Sequence, residues 1–171
     1  MNKHDEPVGS MEKMAAHQQA LLHRAFSVFI FNNNGEMLLQ QRAFSKYHSG
    51  GLWTNACCSH PLPGEGTLEA ANRRLYEELG INTSLHKIFD FTYRASFENG
   101  LTEFEYDHVF VGSYEGQIMP DRAEVHAHRY DSMQQINKAL QEDGEAFTAW
   151  FHIAFPLVDK WTRESQHKHS I

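Results

Sequence analysis

Two apolar runs lie near the start of the chain, at residues 26–33 (FSVFIFNN) and 36–42 (EMLLQQR), with Asn34-Gly35 between them. Strand-length apolar runs joined by Asn-Gly predict a β-hairpin, because both turn residues tolerate the positive φ that a tight turn requires. The period then changes. Leu68, Ala71, Leu75 and Leu79 recur at helical spacing, with Thr67 as the expected N-cap and Gly80 as the stop. Alternation returns over residues 87–96, which set Phe89, Phe91 and Tyr93 on one side. A turn at Glu98-Asn99-Gly100 leads to a strand over 102–112 (TEFEYDHVFVG), and 124–130 is a third such segment. Asp131 or Ser132 caps a helix to about Gln141, and a last helix covers roughly 146–161. Residues 1–16 read as an arm that ends in a short helical patch. The order of hairpin, helix, strands, helix and helix predicts an α/β or α+β domain, with a mixed sheet covered by helices.

In the strand over 102–112, alternation puts Glu103, Glu105 and Asp107 on one face and Phe104, Tyr106, His108 and Phe110 on the other. Glu103 and Glu105 then stand about 7 Å apart, close enough for their side chains to converge on one cation. Three carboxylates on one face mark either an exposed face or a metal site. His17 and His23 are six residues apart. One continuous helix would turn them to opposite sides, so they meet one ion only if the chain bends between them; otherwise they are unrelated histidines.

The chain's 171 residues suit one domain, 1–171, with a full core. Its net charge of -7 argues against a broad nucleic-acid surface but allows a local basic pocket. No apolar run reaches the ~20 residues of a membrane span, and the N-terminus has no apolar signal segment. Cys57 and Cys58 are adjacent and are the only cysteines, which predicts reduced thiols in a cytoplasmic protein. Twelve histidines make a metal site worth seeking.

The chemistry concentrates between Thr54 and Gly80. There Cys58 and His60 precede a helix carrying Arg73, Arg74, Glu77 and Glu78. The i, i+4 pairs Arg73/Glu77 and Arg74/Glu78 are either surface ion pairs or part of a site. Arg42, Ser45 and Lys46 open a loop that either grips an anion or is simply solvated.

GEGTLEAANRRLYEELGI resembles the Nudix box, a loop-helix motif that holds a metal-bound diphosphate. Gly64, Arg73, Leu75, Glu77, Glu78, Gly80 and Ile81 match its usual form. The first Glu position is Ala70, with Glu69 beside it, and the Glu after Arg73 is replaced by Arg74. In the hydrolases of this superfamily that second position helps to bind metal and activate water, so a cation there argues against pyrophosphate hydrolysis. From Met11 to about Trp161, the segments KMAAH, LHRAFS, RAFSK, GLWTN, the Cys-x-His-Pro, YRA, E-x-E and a late F-x-x-W together resemble type I isopentenyl-diphosphate isomerases.

The resemblance implies a Nudix-like sheet sandwiched between helices, with an N-terminal extension that contributes to the active site. It implies a metal site of His17, His23, His60, Glu103 and Glu105 for Mn, Mg or Zn. It implies Cys58 and Glu105 as the catalytic pair, with Tyr93 assisting Glu105 and Trp150 near the substrate's hydrocarbon end. Glu78 and the Cys58 carbonyl would bind a Mg ion carried by the diphosphate. Lys13, Arg42, Lys46 and Arg74 would contact the diphosphate itself. Cys57 has no role in the pattern and reads as a small buried residue. The implied activity is a 1,3-allylic proton shift on a C5 prenyl diphosphate, carried out by a monomer or weak dimer. The alternatives are a Nudix diphosphate hydrolase and a non-catalytic diphosphate-binding module.

Overall fold

The computed structural model describes residues 1–46, 48–97 and 100–168, without the side chains of Lys13 and residues 166–168. Glu98 and Asn99 of the expected turn, and the side chain of Lys13, lie outside the described residues. Among those described, seven strands form one mixed sheet. Strand β1 (His23–Phe31) is central. Its middle, residues 25–30, is buried at six successive positions, as its largely apolar sequence predicts for a strand covered on both faces. On one side β1 runs parallel to β6 (Thr102–Ser113), which pairs antiparallel with β5 (His86–Ser96). On the other side its first half pairs with β4 (Cys57–Ser59) and its end meets β2 (Met37–Arg42) at Phe31–Met37. Strand β2 also pairs with β3 (Trp53–Asn55) and β7 (Val125–Asp131). The chain of β3 and β4 therefore crosses from one partner to the other at Ala56.

Helices cover both faces. Helix α2 (Thr67–Leu79) lays Ala70, Ala71, Leu75 and Leu79 on Phe26, Val28 and Ile30 of β1. Gly80, at φ 68°, ends it in the left-handed region. On the opposite face, Ile136 of α3 (Met133–Glu142) and Phe151, Phe155 and Val158 of α4 (Ala149–Lys168) pack on Phe29, Leu39 and Val109. Ser132 caps α3 in a full capping box with Gln135. No helix among the described residues is long and apolar enough to cross a membrane.

The structure moves several boundaries. Helix α1 (Lys13–Gln18) begins inside the expected arm, and β1 starts at His23 rather than Phe26 and stops at Phe31. Residues 144–146 form a 3-10 turn, so the last helix starts at Ala149, and it extends beyond Trp161. The N-cap of α2 is Gly66 and not Thr67, which is the helix's first residue. Leu68 is 45% exposed, whereas Ala70 takes the buried place beside Ala71. The stripe is thus set by small residues, which let the helix approach β1 and β4 closely.

That difference is testable. Leu75→Ala should cost about 2–5 kcal/mol, the range for emptying a packed leucine site. Leu68→Ala should stay within about 0.5 kcal/mol. Urea unfolding of both variants measures the contrast.

Candidate active site

The carboxylate face of β6 is buried. Glu103, Glu105 and Asp107 are each 5% exposed or less. Register explains what gathers around them. Tyr93 of β5 is paired with Glu105 of β6, and Glu105 is paired with His23 of β1. Paired residues on adjacent strands share a face, so a phenol, a carboxylate and an imidazole stand in one row. Beyond His23 the chain bends back. Ala20 adopts φ 50° just after α1, and the reversal brings the His17 ring to 4.8 Å from that of His23. The bend that one shared ion would require is present. His60 enters just after β4.

These groups converge on Glu105. His60 Nε2 lies 2.9 Å, His23 Nε2 3.4 Å and His17 Nε2 3.8 Å from its Oε1. On the far side, Tyr93 offers its one hydroxyl proton to Glu105 Oε2 at 2.8 Å or Glu103 Oε2 at 2.9 Å. The fifth expected ligand, Glu103, is approached by a residue outside the expected set, His48, at 3.4 Å. Donor atoms of His17, His23, His60 and Glu105 lie within 4.8 Å of one another, and so do those of His17, His48 and Glu103. The nitrogen and oxygen donors suit a divalent ion. His23 fits the role of a ligand closely. Its Nδ1 bonds the Leu21 carbonyl at 2.7 Å, and a carbonyl only accepts, so the neutral ring presents a bare Nε2. That Nε2 is buried and makes no hydrogen bond.

Electrostatics follow from the same packing. Burial opposes ionisation of Glu105, but with no ion bound the His60 and His23 imidazoles in their protonated form outweigh it and hold the carboxyl well below its usual range, a part that an ion on the neutral rings would take over. Burial, then the Glu105 and Glu103 carboxylates, push the Tyr93 phenol up, so it stays a donor. Burial raises Asp107 well above an ordinary carboxyl.

Strand alternation separates the two cysteines. Cys57 turns into the α2 core and is fully buried, while Cys58 faces the site opposite Ser27. The Cys58 thiol donates to Asn55 Oδ1 at 3.0 Å, and Ser27 Oγ lies 3.4 Å away. Burial and then Asp107 push the thiol well above its ordinary value, while the Ser27 and Asn55 contacts partly counter them. Cys58, His60, Glu105, Tyr93, Arg42 and Trp150 line one pocket. Trp150 is placed by Thr148, whose backbone N–H donates to the Trp53 carbonyl at 3.0 Å. The Arg42 guanidinium sits 5.2 Å from the Trp150 ring centre.

The other expected diphosphate contacts form a second group. Arg74 pairs with Glu78 at 2.7 Å, Glu77 at 2.8 Å and Glu124 at 3.4 Å. Lys46 also pairs with Glu124. Gln40 donates to Glu78 at 3.0 Å and to the Ala56 carbonyl at 2.6 Å. His48, Glu124, Asn55 and Ser27 are site residues that sequence reasoning missed. Only Ser27 left a signal, as a lone polar position in the apolar run of β1.

The NUDIX domain family model matches residues 21–151. Isopentenyl-diphosphate Delta-isomerases from Pectobacterium atrosepticum and Serratia proteamaculans are 49% and 50% identical to this chain, covering 94% and 93% of it and 90% and 92% of their own lengths. This chain belongs to the isopentenyl-diphosphate isomerase family. Within the Nudix superfamily, the isomerase family keeps a common frame. A MutT protein from Methanosarcina mazei superposes with a TM-score of 0.68 at 20% identity, over 82% of this chain and 95% of that one, and shares the fold alone.

One titration tests how the loop after His60 is pinned. Arg73 grips Glu65 through two bonds of 2.7 and 2.8 Å. The Arg73 hydrogen bonds hold this carboxyl at about 2. The folded-state value is depressed, so the pair's contribution is complete above the unfolded value of about 4.3 and disappears as pH falls toward 2. Carbon-13 NMR should find the Glu65 midpoint near 2, rising to about 4 in Arg73→Met. A wild-type midpoint near 4 would contradict the pairing.

Proposed function

We propose that this chain interconverts isopentenyl diphosphate and dimethylallyl diphosphate by adding a proton at one end of the allylic unit and removing one at the other. The observation that carries the proposal is the pocket in which the Cys58 thiol, the Tyr93-bound Glu105 carboxylate and the Trp150 indole meet. An isolated alkene is a very weak base. Its protonation needs a positioned acid in a site shielded from water, and the tertiary cation that forms needs negative or π-rich surroundings. The proton enters at the terminal CH2, making it a methyl group, and the CH2 on the other side of the cationic carbon loses one as the double bond moves. Cys58 and Glu105, with Tyr93, are the donor and acceptor, and they exchange roles when the reaction runs backward. Trp150 offers its π face to the cation.

The residues for a divalent ion are His17, His23, His60, Glu103 and Glu105, with Mn or Mg favoured by the carboxylates and Zn compatible with the imidazoles. An ion held there would supply positive charge that offsets the two buried carboxylates. The diphosphate is the handle, whose remote binding energy fixes a small apolar group. Arg42 faces it from the pocket, with Lys13 completing the expected set. Lys46 and Arg74, both now paired with Glu124, would bind it, and Glu78 with the Cys58 carbonyl would hold its Mg.

Isopentenyl diphosphate incubated with the protein and Mg or Mn should give dimethylallyl methyl signals by proton NMR. Cys58→Ala should slow their growth more than about a thousandfold, about 4 kcal/mol. Cys57→Ala, on the core side, should stay within about threefold, or 0.7 kcal/mol. Near wild-type turnover by Cys58→Ala would end the reading. Because Arg74 occupies the hydrolase carboxylate position, nucleoside triphosphates should release neither phosphate nor pyrophosphate at the ~1 per second typical of enzymes, by malachite-green assay with pyrophosphatase added.

A further inference from the structure

His48 belongs to neither the Nudix box nor the five-ligand pattern, yet the fold aims it at the metal site. It sits in the loop between β2 and β3. That loop is closed at its base by Arg42 N–H to the Leu52 carbonyl at 2.9 Å and by Gly51 N–H back to the Arg42 carbonyl at 3.0 Å. Ser49 at φ 53° and Gly51 at φ 79° turn the chain so that the imidazole points inward. The ring is packed on two sides. It stacks on Phe97 with centroids 5.0 Å apart and meets the Trp150 ring at 6.0 Å and 90°. Its Nδ1 lies 3.2 Å from Ser49 Oγ, which leaves Nε2 for Glu103 Oε1 at 3.4 Å. A metal-binding histidine uses the same division of labour, with one nitrogen tied outward and the other directed at the ion. His23 shows it too, through Leu21.

The two donor groups share His17. They are separate groups, each with its donor atoms within 4.8 Å of one another, and between them they contain six residues: His17, His23, His48 and His60 with Glu103 and Glu105. Ions such as Mn and Mg take six ligands. We infer that His48 is the sixth protein ligand of the ion at this site, so that side chains alone complete its coordination. The inference rests on the metal reading above. Its consequence is that no open position remains for water or substrate. The ion then anchors Glu103 and Glu105, and the diphosphate is bound elsewhere, by the cationic residues.

The test uses the full-length protein stripped of metal and titrated with Mn(II). Free Mn is counted by electron paramagnetic resonance, and water reaching the bound ion is read from water-proton relaxation. His48→Phe keeps a ring against Phe97 and Trp150 but has no donor; His48→Ala removes both. Wild-type bound Mn should relax water weakly. Both His48 variants should bind Mn about tenfold more weakly or worse, and their bound Mn should relax water more strongly, with the metal-free melting temperature of His48→Phe unchanged. His60→Ala separates the two claims. Its loss of Mn binding beside unchanged affinity and relaxation in both His48 variants would overturn the role of His48 while leaving the site. Undiminished binding by His60→Ala would overturn the metal site itself.

Discussion

The structure depends on a row of carboxylates buried on one face of β6. Like charges about 7 Å apart repel, and burial removes the water that would screen them. Glu103 and Glu105 are therefore tolerated only where positive or proton-donating groups meet them. The chain supplies these from α1, β1, the end of β4, β5 and the β2–β3 loop. Strand pairing fixes much of this. With Tyr93, Glu105 and His23 in register across three strands, a one-residue slip would turn one of them to the other face.

The same alternation divides the molecule into a core side and a pocket side. Further along β6, the face that carries the carboxylates continues as Val109 and Val111 in the core under α4. In β4, Cys57 completes the α2 core while Cys58 faces the pocket. Trp150 belongs to both halves, since the helix that buries Phe151 and Phe155 also sets the indole beside Arg42. In the Nudix frame, Arg74 links Glu78 to Glu124 where a hydrolase would carry a metal-binding carboxylate.

Much of this was legible in the sequence, for identifiable reasons. The apolar run FSVFIF and the alternation of TEFEYDHVF are signals strong enough to place two strands and the carboxylate face of the second, though not the central position of the first. Whether that face was exposed or a metal site depended on long-range pairing, which no local pattern contains. His17 and His23 look incompatible on a helix, and the reversal at Ala20 that reconciles them carries no glycine to announce it. Thr67 was a plausible cap, but Gly66 takes that place without a side-chain hydrogen bond, and the small residues Ala70 and Ala71, not Leu68, face the sheet. His48 and Glu124 could not be found locally, because each acquires its partner, Glu103 or Lys46 with Arg74, only through tertiary contact.

The central claim is that two positioned groups move separate protons to and from the allylic unit. It is tested most directly by running the reaction in heavy water and locating the label by NMR. The account predicts deuterium in the newly formed methyl group of dimethylallyl diphosphate, and its gradual entry into recovered isopentenyl diphosphate as the reaction reverses. Dimethylallyl diphosphate formed at the full rate with no deuterium in that methyl group would contradict it, since hydrogen would then be passing within the substrate and not through Cys58, Tyr93 or Glu105.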